Sequence, residues 1–164
     1  NLTVTPPDTP VAVENRMQCS TNKFLLKVRK VPQPILDAFN ENGWTYVIDG
    51  NYTANLGQQL SVNCIGATVF GENRIYVSES GATLHEFGHF YDSLLGFPEE
   101  HDHLYELEAA NAPMSEHAKS SSLEYFAEFF AYWCSGNTRS LALLKELTPE
   151  TYAYFEGMSA SWLF

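Results

Sequence analysis

The chain is poor in basic residues. Its 164 residues include 9 Lys and Arg against 20 Asp and Glu, which gives a formal net charge of −11. Nucleic-acid phosphates would be repelled by this balance, so we expect no nucleic-acid partner. The charge is compatible with basic peptide substrates. It is equally compatible with a simple contribution to solubility, because net charge does not locate charge in a cleft.

Long hydrophobic runs and clustered cysteines are also missing. No apolar stretch reaches the length of a transmembrane helix, so no membrane span is expected. Cys19, Cys64 and Cys134 are too few and too scattered for a zinc knuckle. A Cys19–Cys64 disulfide would suit a secreted protein, and free thiols are equally open. With 45% apolar and 14% aromatic residues, the chain is expected to bury a real core.

Residues 84–92 read LHEFGHFYD and contain the pentad H-E-x-x-H. On an α-helix, His85 and His89 lie one turn apart on the same face and can both ligate one Zn²⁺. Glu86 lies beside them, where it can act as general base without binding the metal. Apolar residues at helical spacing predict an amphipathic helix over roughly 81–95. The alternative is an accidental motif in an extracellular interaction module, which predicts a protein without zinc.

A catalytic zinc needs a third protein ligand, and the segment SSLEYFAEFFAYW at 121–133 offers the best candidate. This helix is aromatic and expected to be buried, where carboxylates are rare unless paired or bound to metal. Glu124 is therefore predicted as the third ligand. Glu128 is predicted to orient a ligating His by accepting its remote N–H, and Asp92 could do likewise. The alternatives are a solvated helix face for the two Glu, and an ion-pairing or capping carboxylate for Asp92.

The segments HEFGHFYD and EYFAEFFAYW together resemble the catalytic domain of anthrax lethal factor and are similar to the secreted bacterial Pro-Pro endopeptidases. Those relatives have an HExxH helix with an Asp three residues after the second His, and a downstream E-[FY]-F-A-E helix. The resemblance spans the second half of the chain. It implies a zincin-like α+β fold, one catalytic zinc ion, peptide-bond hydrolysis and a secreted, bacterial origin. It also implies the roles of individual residues: His85, His89 and Glu124 as ligands, Glu86 as base, and Asp92 and Glu128 as supporting groups.

This sequence departs from the relatives at one functional position. Relatives place a Tyr seven residues before the ligand Glu, where it donates a hydrogen bond to the oxyanion, and here that position is His117. An imidazole N–H can make the same donation, so His117 is predicted as the oxyanion donor. Tyr125 and Tyr105 are the next candidates. The alternative for His117 is a surface residue ahead of a helix cap.

The domain organisation is predicted as a single domain over residues 1–164. Within it, residues 1–20 are expected to form an extended arm and 21–80 an α/β lobe with a short mixed sheet. Residues 81–164 are expected to form a mainly helical lobe that carries the zinc site.

Local patterns predict further elements. Strands are predicted at 23–30 and 44–49, and a hairpin at 67–78. A short helix is predicted to begin at Pro34 and to stop before Gly43, and a last helix to begin at Thr148-Pro149. The patterns also predict a loop at 50–62 and solvated loop positions for His101 and His103.

The sequence therefore predicts a monomeric zinc-dependent endopeptidase with Glu86 as general base. A peptide substrate is expected to bind extended along the strand near Ile75–Val77. Two alternatives stay open: an inactive zincin-fold module that binds peptides, and a zinc hydrolase of non-peptide amides. Substrate preference does not follow from these residues.

Overall fold

The structure is a computed structural model that describes residues 9–60 and 64–162. These ranges form the predicted α+β fold, with a small sheet near the start and helices towards the end. The strands are β1 (Val13–Asn15), β2 (Thr45–Ile48), β3 (Gly66–Val69) and β4 (Arg74–Val77). The helices are α1 (Asn22–Val28), α2 (Gln33–Glu41), α3 (Gly50–Leu60), α4 (Thr83–Leu94), α5 (Glu99–Glu108), α6 (Ser122–Ser135), α7 (Thr138–Leu147) and α8 (Pro149–Ser159). Short 3₁₀ turns lie at Ser80–Ala82 and Ala109–Asn111.

The chain divides into two compact units, residues up to Glu86 and residues from Phe87 onward. The boundary falls inside α4. The first unit contains the sheet and α1 to α3, and the second contains α5 to α8. The single-domain organisation stays a prediction.

The sheet of the first unit is mixed, with strand order β1-β2-β4-β3. β1, β2 and β4 run parallel, and β3 runs antiparallel to β4. Most residues of β2 and β4 are buried, as is typical of interior strands. β3 lies at an edge and is half-buried throughout. The predicted hairpin at 67–78 and the strand at 44–49 are confirmed.

This topology corrects the predicted docking strand. Ile75–Val77 belong to β4, which pairs with β2 on one side and with β3 on the other. Its backbone groups are therefore used inside the sheet and are not open to a peptide. On this side of the sheet, the edge strand is β3.

The segment 23–30, predicted as a strand, forms α1 instead. Phe24, Leu25 and Val28 are its buried residues, and these positions share one face of a helix. A short apolar run fits both the helical repeat of about 3.6 residues and the two-residue repeat of a strand, so the local pattern alone does not decide between them.

The segment 50–62, predicted as a loop, is also largely helical: α3 covers Gly50–Leu60. Asp49 Oδ1 accepts the backbone N–H groups of Asn51 and Tyr52 at 2.9 and 3.2 Å. These bonds cap the first turn of the helix. Residues 61–63 lie outside the described residues.

The predicted N-terminal arm lies only partly within the described residues, since 1–8 are outside them. Residues 13–15 form β1, paired in parallel with β2, so this part of the predicted extended arm is a strand of the sheet. The helix predicted from Pro34 is confirmed as α2. It ends before Gly43, whose φ of 74° suits glycine.

The second unit is held together by an aromatic core around α6. Phe126 and Phe129 contact Phe155 of α8, with ring centroids 5.1 and 4.8 Å apart. All three are buried, and burial of each such side chain contributes roughly 1.5–3 kcal/mol. The predicted buried helix at 121–133 is confirmed, and its position is fixed by this packing.

The last helix begins at Pro149, as predicted. Its cap differs from the expected one, because the Thr148 hydroxyl donates back to the carbonyl of Leu144. Instead the buried Glu108 carboxylate accepts the N–H groups of Glu150 and Thr151 at 2.9 and 2.6 Å.

The three cysteines are free thiols; Cys19 is exposed, and Cys64 and Cys134 are half-buried. The Cys19–Cys64 disulfide is therefore not formed. Burial raises the pKa of the Cys134 thiol. Among the described residues, no helix combines the length and the apolar character needed to cross a membrane.

Candidate functional site

The HExxH segment lies on α4, as predicted, with His85 and His89 one turn apart. The segment 121–133 lies on α6, where the hydroxyl of Ser121 accepts the N–H of Glu124 at 3.2 Å. This N-cap fixes the backbone of the first turn, so Glu124 projects from a defined position.

The predicted ligands come together. One ligand atom each from His85, His89 and Glu124 lie within 4.8 Å of one another. His89 Nε2 is 3.4 Å from Glu124 Oε1. That separation is long for a hydrogen bond. It equals the distance between two ligand atoms that bind one tetrahedral ion through bonds of about 2.1 Å, the usual length of Zn–N and Zn–O bonds. Two imidazoles and one half-buried carboxylate thus form a group that could hold a metal ion.

The approach of α6 to α4 depends on Gly88. A Cβ atom on Gly88 would lie 2.7 Å from the Cα and 2.8 Å from the carbonyl oxygen of Ala127. The two helix backbones therefore touch at this point, which explains glycine inside a helix despite its cost of about 1 kcal/mol. Ala127 follows Glu124 by one turn on α6, so this contact sets where the third carboxylate lies.

Glu86, the predicted base, is buried at 7% exposure. Within the first unit it contacts the edge strand β3: the Thr68 hydroxyl lies 2.8 Å from Glu86 Oε1 and 3.0 Å from its carbonyl oxygen. Gly66, two residues earlier on the same strand, faces the same carboxylate. The Glu86 side chain is thus held in a defined conformation by a neighbouring strand.

His117 lies on the turn before α6, and its side chain is 79% exposed. Its Nε2 is 3.5 Å from Glu124 Oε2, the carboxylate oxygen that is not the one facing His89. The turn is fixed by Tyr105, whose hydroxyl donates to the carbonyl of Lys119 at 2.6 Å. His117 therefore lies next to Glu124 but is not one of the three grouped residues His85, His89 and Glu124. Its predicted oxyanion role stays a prediction.

The two fallback donors are engaged elsewhere. Tyr105 holds the turn just described. Tyr125 is buried and its hydroxyl is 2.9 Å from Thr151 Oγ1. Burial, partly offset by that hydrogen bond, raises the pKa of Tyr125 to about 12. Both hydroxyls are used in these hydrogen bonds, so neither replaces His117 as the candidate oxyanion donor.

The surroundings of Asp92 differ from the prediction. Its Oδ1 is 2.8 Å from His101 Nδ1, and both side chains are buried. Its Oδ2 has no hydrogen-bond partner in the described part of the chain. The orienting contact from Asp92 to a ligand histidine is therefore not observed. The other interpretation, an ion-pairing carboxylate, describes this residue better.

His101 is not the solvated loop residue that was predicted. It lies on α5 at 4% exposure, stacks on Phe126 with ring centroids 4.0 Å apart, and its Nε2 is 2.9 Å from the Tyr154 hydroxyl. It links α4, α5 and α8 inside the second unit. His103, on the opposite side of α5, is exposed as expected, but it lies on this helix and not on the predicted loop.

Glu128 lies one turn after Glu124 on α6 and is half-buried. Its negative charge contributes, after burial, to a raised pKa of Tyr132. The predicted orienting role of Glu128 stays a prediction.

Thr68 and Gly66 are the site residues that the sequence alone does not reveal. They alternate on a strand ahead of the HExxH helix, and nothing local distinguishes them from an ordinary edge strand. The contact joins residues 18 positions apart and becomes visible only in three dimensions.

Comparisons with known proteins bear on the fold and the family of the chain. A search of curated proteins gives no significant match. Among solved structures, the chain is similar to the Pro-Pro endopeptidase PPEP-2 from Paenibacillus alvei, with a TM-score of 0.66, 19% identity, and coverage of 89% of this chain and 96% of that chain. The fold is thus shared with that enzyme. The model of the family described as anthrax toxin lethal factor, N- and C-terminal domain, matches residues 42–158, and the chain belongs to this family.

Proposed function

We propose that the chain is a zinc-dependent endopeptidase. The observation that carries the proposal is the convergence of one atom each from His85, His89 and Glu124 within 4.8 Å, with the buried carboxylate of Glu86 next to the first ligand on α4. The fold shared with a Pro-Pro endopeptidase and membership of the lethal factor family support peptide-bond hydrolysis in particular.

The two histidines and Glu124 would hold the ion. When bound, zinc supplies Lewis acidity towards the scissile carbonyl and lowers the pKa of a coordinated water. Glu86 accepts the proton of the attacking water and delivers it to the leaving amine. His117 donates its ring N–H to the carbonyl oxygen as negative charge develops there. Its position 3.5 Å from Glu124 Oε2 supports this role.

The substrate would bind along β3 rather than along β4. β3 is an edge strand, and its residue Thr68 contacts the base. An extended peptide that pairs with this edge would run past Glu86, and main-chain hydrogen bonds would hold it in register. Extracellular localisation and a monomeric state stay predictions from the sequence.

The first test is a digest of a mixed peptide library by the zinc-loaded protein. We expect internal peptide bonds to be cleaved, cleavage to stop when a chelator removes the metal, and added Zn²⁺ to restore it, because the ligand set holds the Lewis acid. Mass spectrometry identifies the cleaved bonds, and elemental analysis measures the zinc content of each sample.

The same digest separates the alternatives. A protein that binds zinc and hydrolyses small amides but no peptides would be a non-peptide amidase. A protein that binds zinc and hydrolyses neither would be a peptide-binding module. A protein purified without zinc, and unable to take it up, would leave the HExxH segment as an accidental motif.

Substitution of His117 tests the oxyanion role. His117→Phe removes the donor from a mostly exposed side chain, and we expect kcat for a cleaved peptide to fall about 10²-fold, as for other oxyanion donors. His117→Tyr restores a donor and should recover much of the loss. Zinc content should stay at the wild-type level in both variants. Loss of zinc from the Phe variant would instead make His117 a ligand, and unchanged kcat would exclude it from the reaction.

A further inference from the structure

The strand β3 touches the carboxylate of Glu86 from one side through a single hydroxyl. Thr68 Oγ1 is 2.8 Å from Glu86 Oε1 and 3.0 Å from the Glu86 carbonyl oxygen. A hydroxyl has one proton to donate, so the two acceptors share it. Thr68 therefore ties both the side chain and the backbone of the base to the sheet.

The other carboxylate oxygen faces a residue without a side chain. A Cβ atom on Gly66 would lie 3.0 Å from Glu86 Oε2, 3.1 Å from Glu86 Cγ and 2.9 Å from Ala82 Cβ. Any side chain at this position would push the carboxylate aside. Gly66 and Thr68 are two residues apart on β3, so they face the same side of the strand.

We propose that Thr68 is a positioning residue for Glu86, and that Gly66 keeps the space beside its second oxygen open. Thr68 fixes Oε1, so the carboxylate meets the attacking water in one conformation. The fixed conformation matters because a general base must meet its proton within hydrogen-bond reach. This inference rests on the proposed role of Glu86.

The hydroxyl is tested with Thr68→Val, which keeps the branched shape and removes the donor, and with Thr68→Ser, which keeps the donor. We expect Thr68→Val to lower kcat about tenfold to 10²-fold, as expected when a catalytic group is misplaced by about 1 Å. KM should stay within about twofold, since binding of the substrate backbone does not use this hydroxyl. Thr68→Ser should keep most of the turnover.

The open space is tested with Gly66→Ala against a matched control in the same hairpin. Gly71 has no heavy atom within 4 Å of an added Cβ, so Gly71→Ala should retain wild-type kcat. Gly66→Ala should lower kcat at least as much as Thr68→Val, because its methyl group displaces the carboxylate. This pair tests the space beside the Glu86 carboxylate even if the Val variant does not fold, and Thr68→Ala then replaces Thr68→Val as the variant without the hydroxyl.

Crystal structures of the metal-free variants give a readout that does not depend on activity. The Glu86 carboxylate should move in Thr68→Val and Gly66→Ala, and should stay in place in Thr68→Ser and Gly71→Ala. An unmoved carboxylate with unchanged kcat in Thr68→Val would overturn the proposal, and so would equal losses in the Val and Ser variants. If the wild-type protein cleaves no peptide, the proposed function fails, and the crystal structures still decide whether Thr68 positions Glu86.

Discussion

Glu86→Gln should lower kcat for peptide cleavage by about 10²- to 10⁴-fold, the usual contribution of a general base, and should leave zinc content unchanged. Gln has the shape of Glu and retains an oxygen that can accept the hydrogen bond from Thr68, which is 2.8 Å from Oε1 in the structure. The side chain should therefore stay where it is and lose only its basicity. The measurement is kcat on a peptide identified in the library digest, with zinc determined on the same sample.

Zinc content decides how a loss of activity is interpreted. Glu86 is not among the three grouped ligands, so its replacement should not release the metal. A variant that loses both zinc and activity would show that Glu86 supports the metal site. A variant with zinc and full activity would show that another group removes the proton. Glu124→Gln is the matched comparison on α6, because there we expect zinc itself to be lost.

The site residues that a local rule specifies could be predicted from the sequence. Two histidines four residues apart share a helix face whatever surrounds them, so the positions of His85 and His89 follow once the helix is accepted. Glu124 could be found because an acidic residue among buried aromatics needs a partner. The strand at 44–49 and the hairpin at 67–78 are rich in β-branched and aromatic residues, and turn residues bound them.

The parts that tertiary contacts decide could not be predicted in this way. His101 looks like one polar residue in an acidic stretch, and only the packing of α5 against Phe126 and Asp92 makes it buried. The contact from Thr68 to Glu86 likewise joins a strand and a helix. The short apolar run at 23–30 fits the repeat of a helix as well as that of a strand, and its packing against neighbouring elements determines that it is a helix.

Gly88→Ala should both destabilise the protein and weaken zinc binding, although Ala is the better helix former. The added Cβ would lie 2.7 Å from the Cα and 2.8 Å from the carbonyl oxygen of Ala127. These are backbone atoms, which cannot turn away as a flexible side chain can. Overpacking typically costs about 1–3 kcal/mol, and a backbone contact should fall at the upper end. The gain of about 1 kcal/mol in helix propensity offsets only part of this cost.

Relief of the clash would move α6 away from α4 and carry Glu124 with it. His89 Nε2 and Glu124 Oε1 would then separate beyond the present 3.4 Å, and one ligand would no longer reach the ion. We therefore expect zinc affinity to fall about tenfold or more, since even a distortion of groups that merely support a site costs 10- to 100-fold. Competition with a chromogenic chelator measures that affinity.

Urea unfolding with the metal removed separates the packing effect from the loss of zinc. The matched control is Gly157→Ala in α8, where an added Cβ has no heavy atom within 4 Å. That variant should be as stable as the wild type or up to about 1 kcal/mol more stable, with unchanged zinc affinity. If Gly88→Ala behaved like this control in both measurements, the two helices would not need their close contact to bring Glu124 to the histidines.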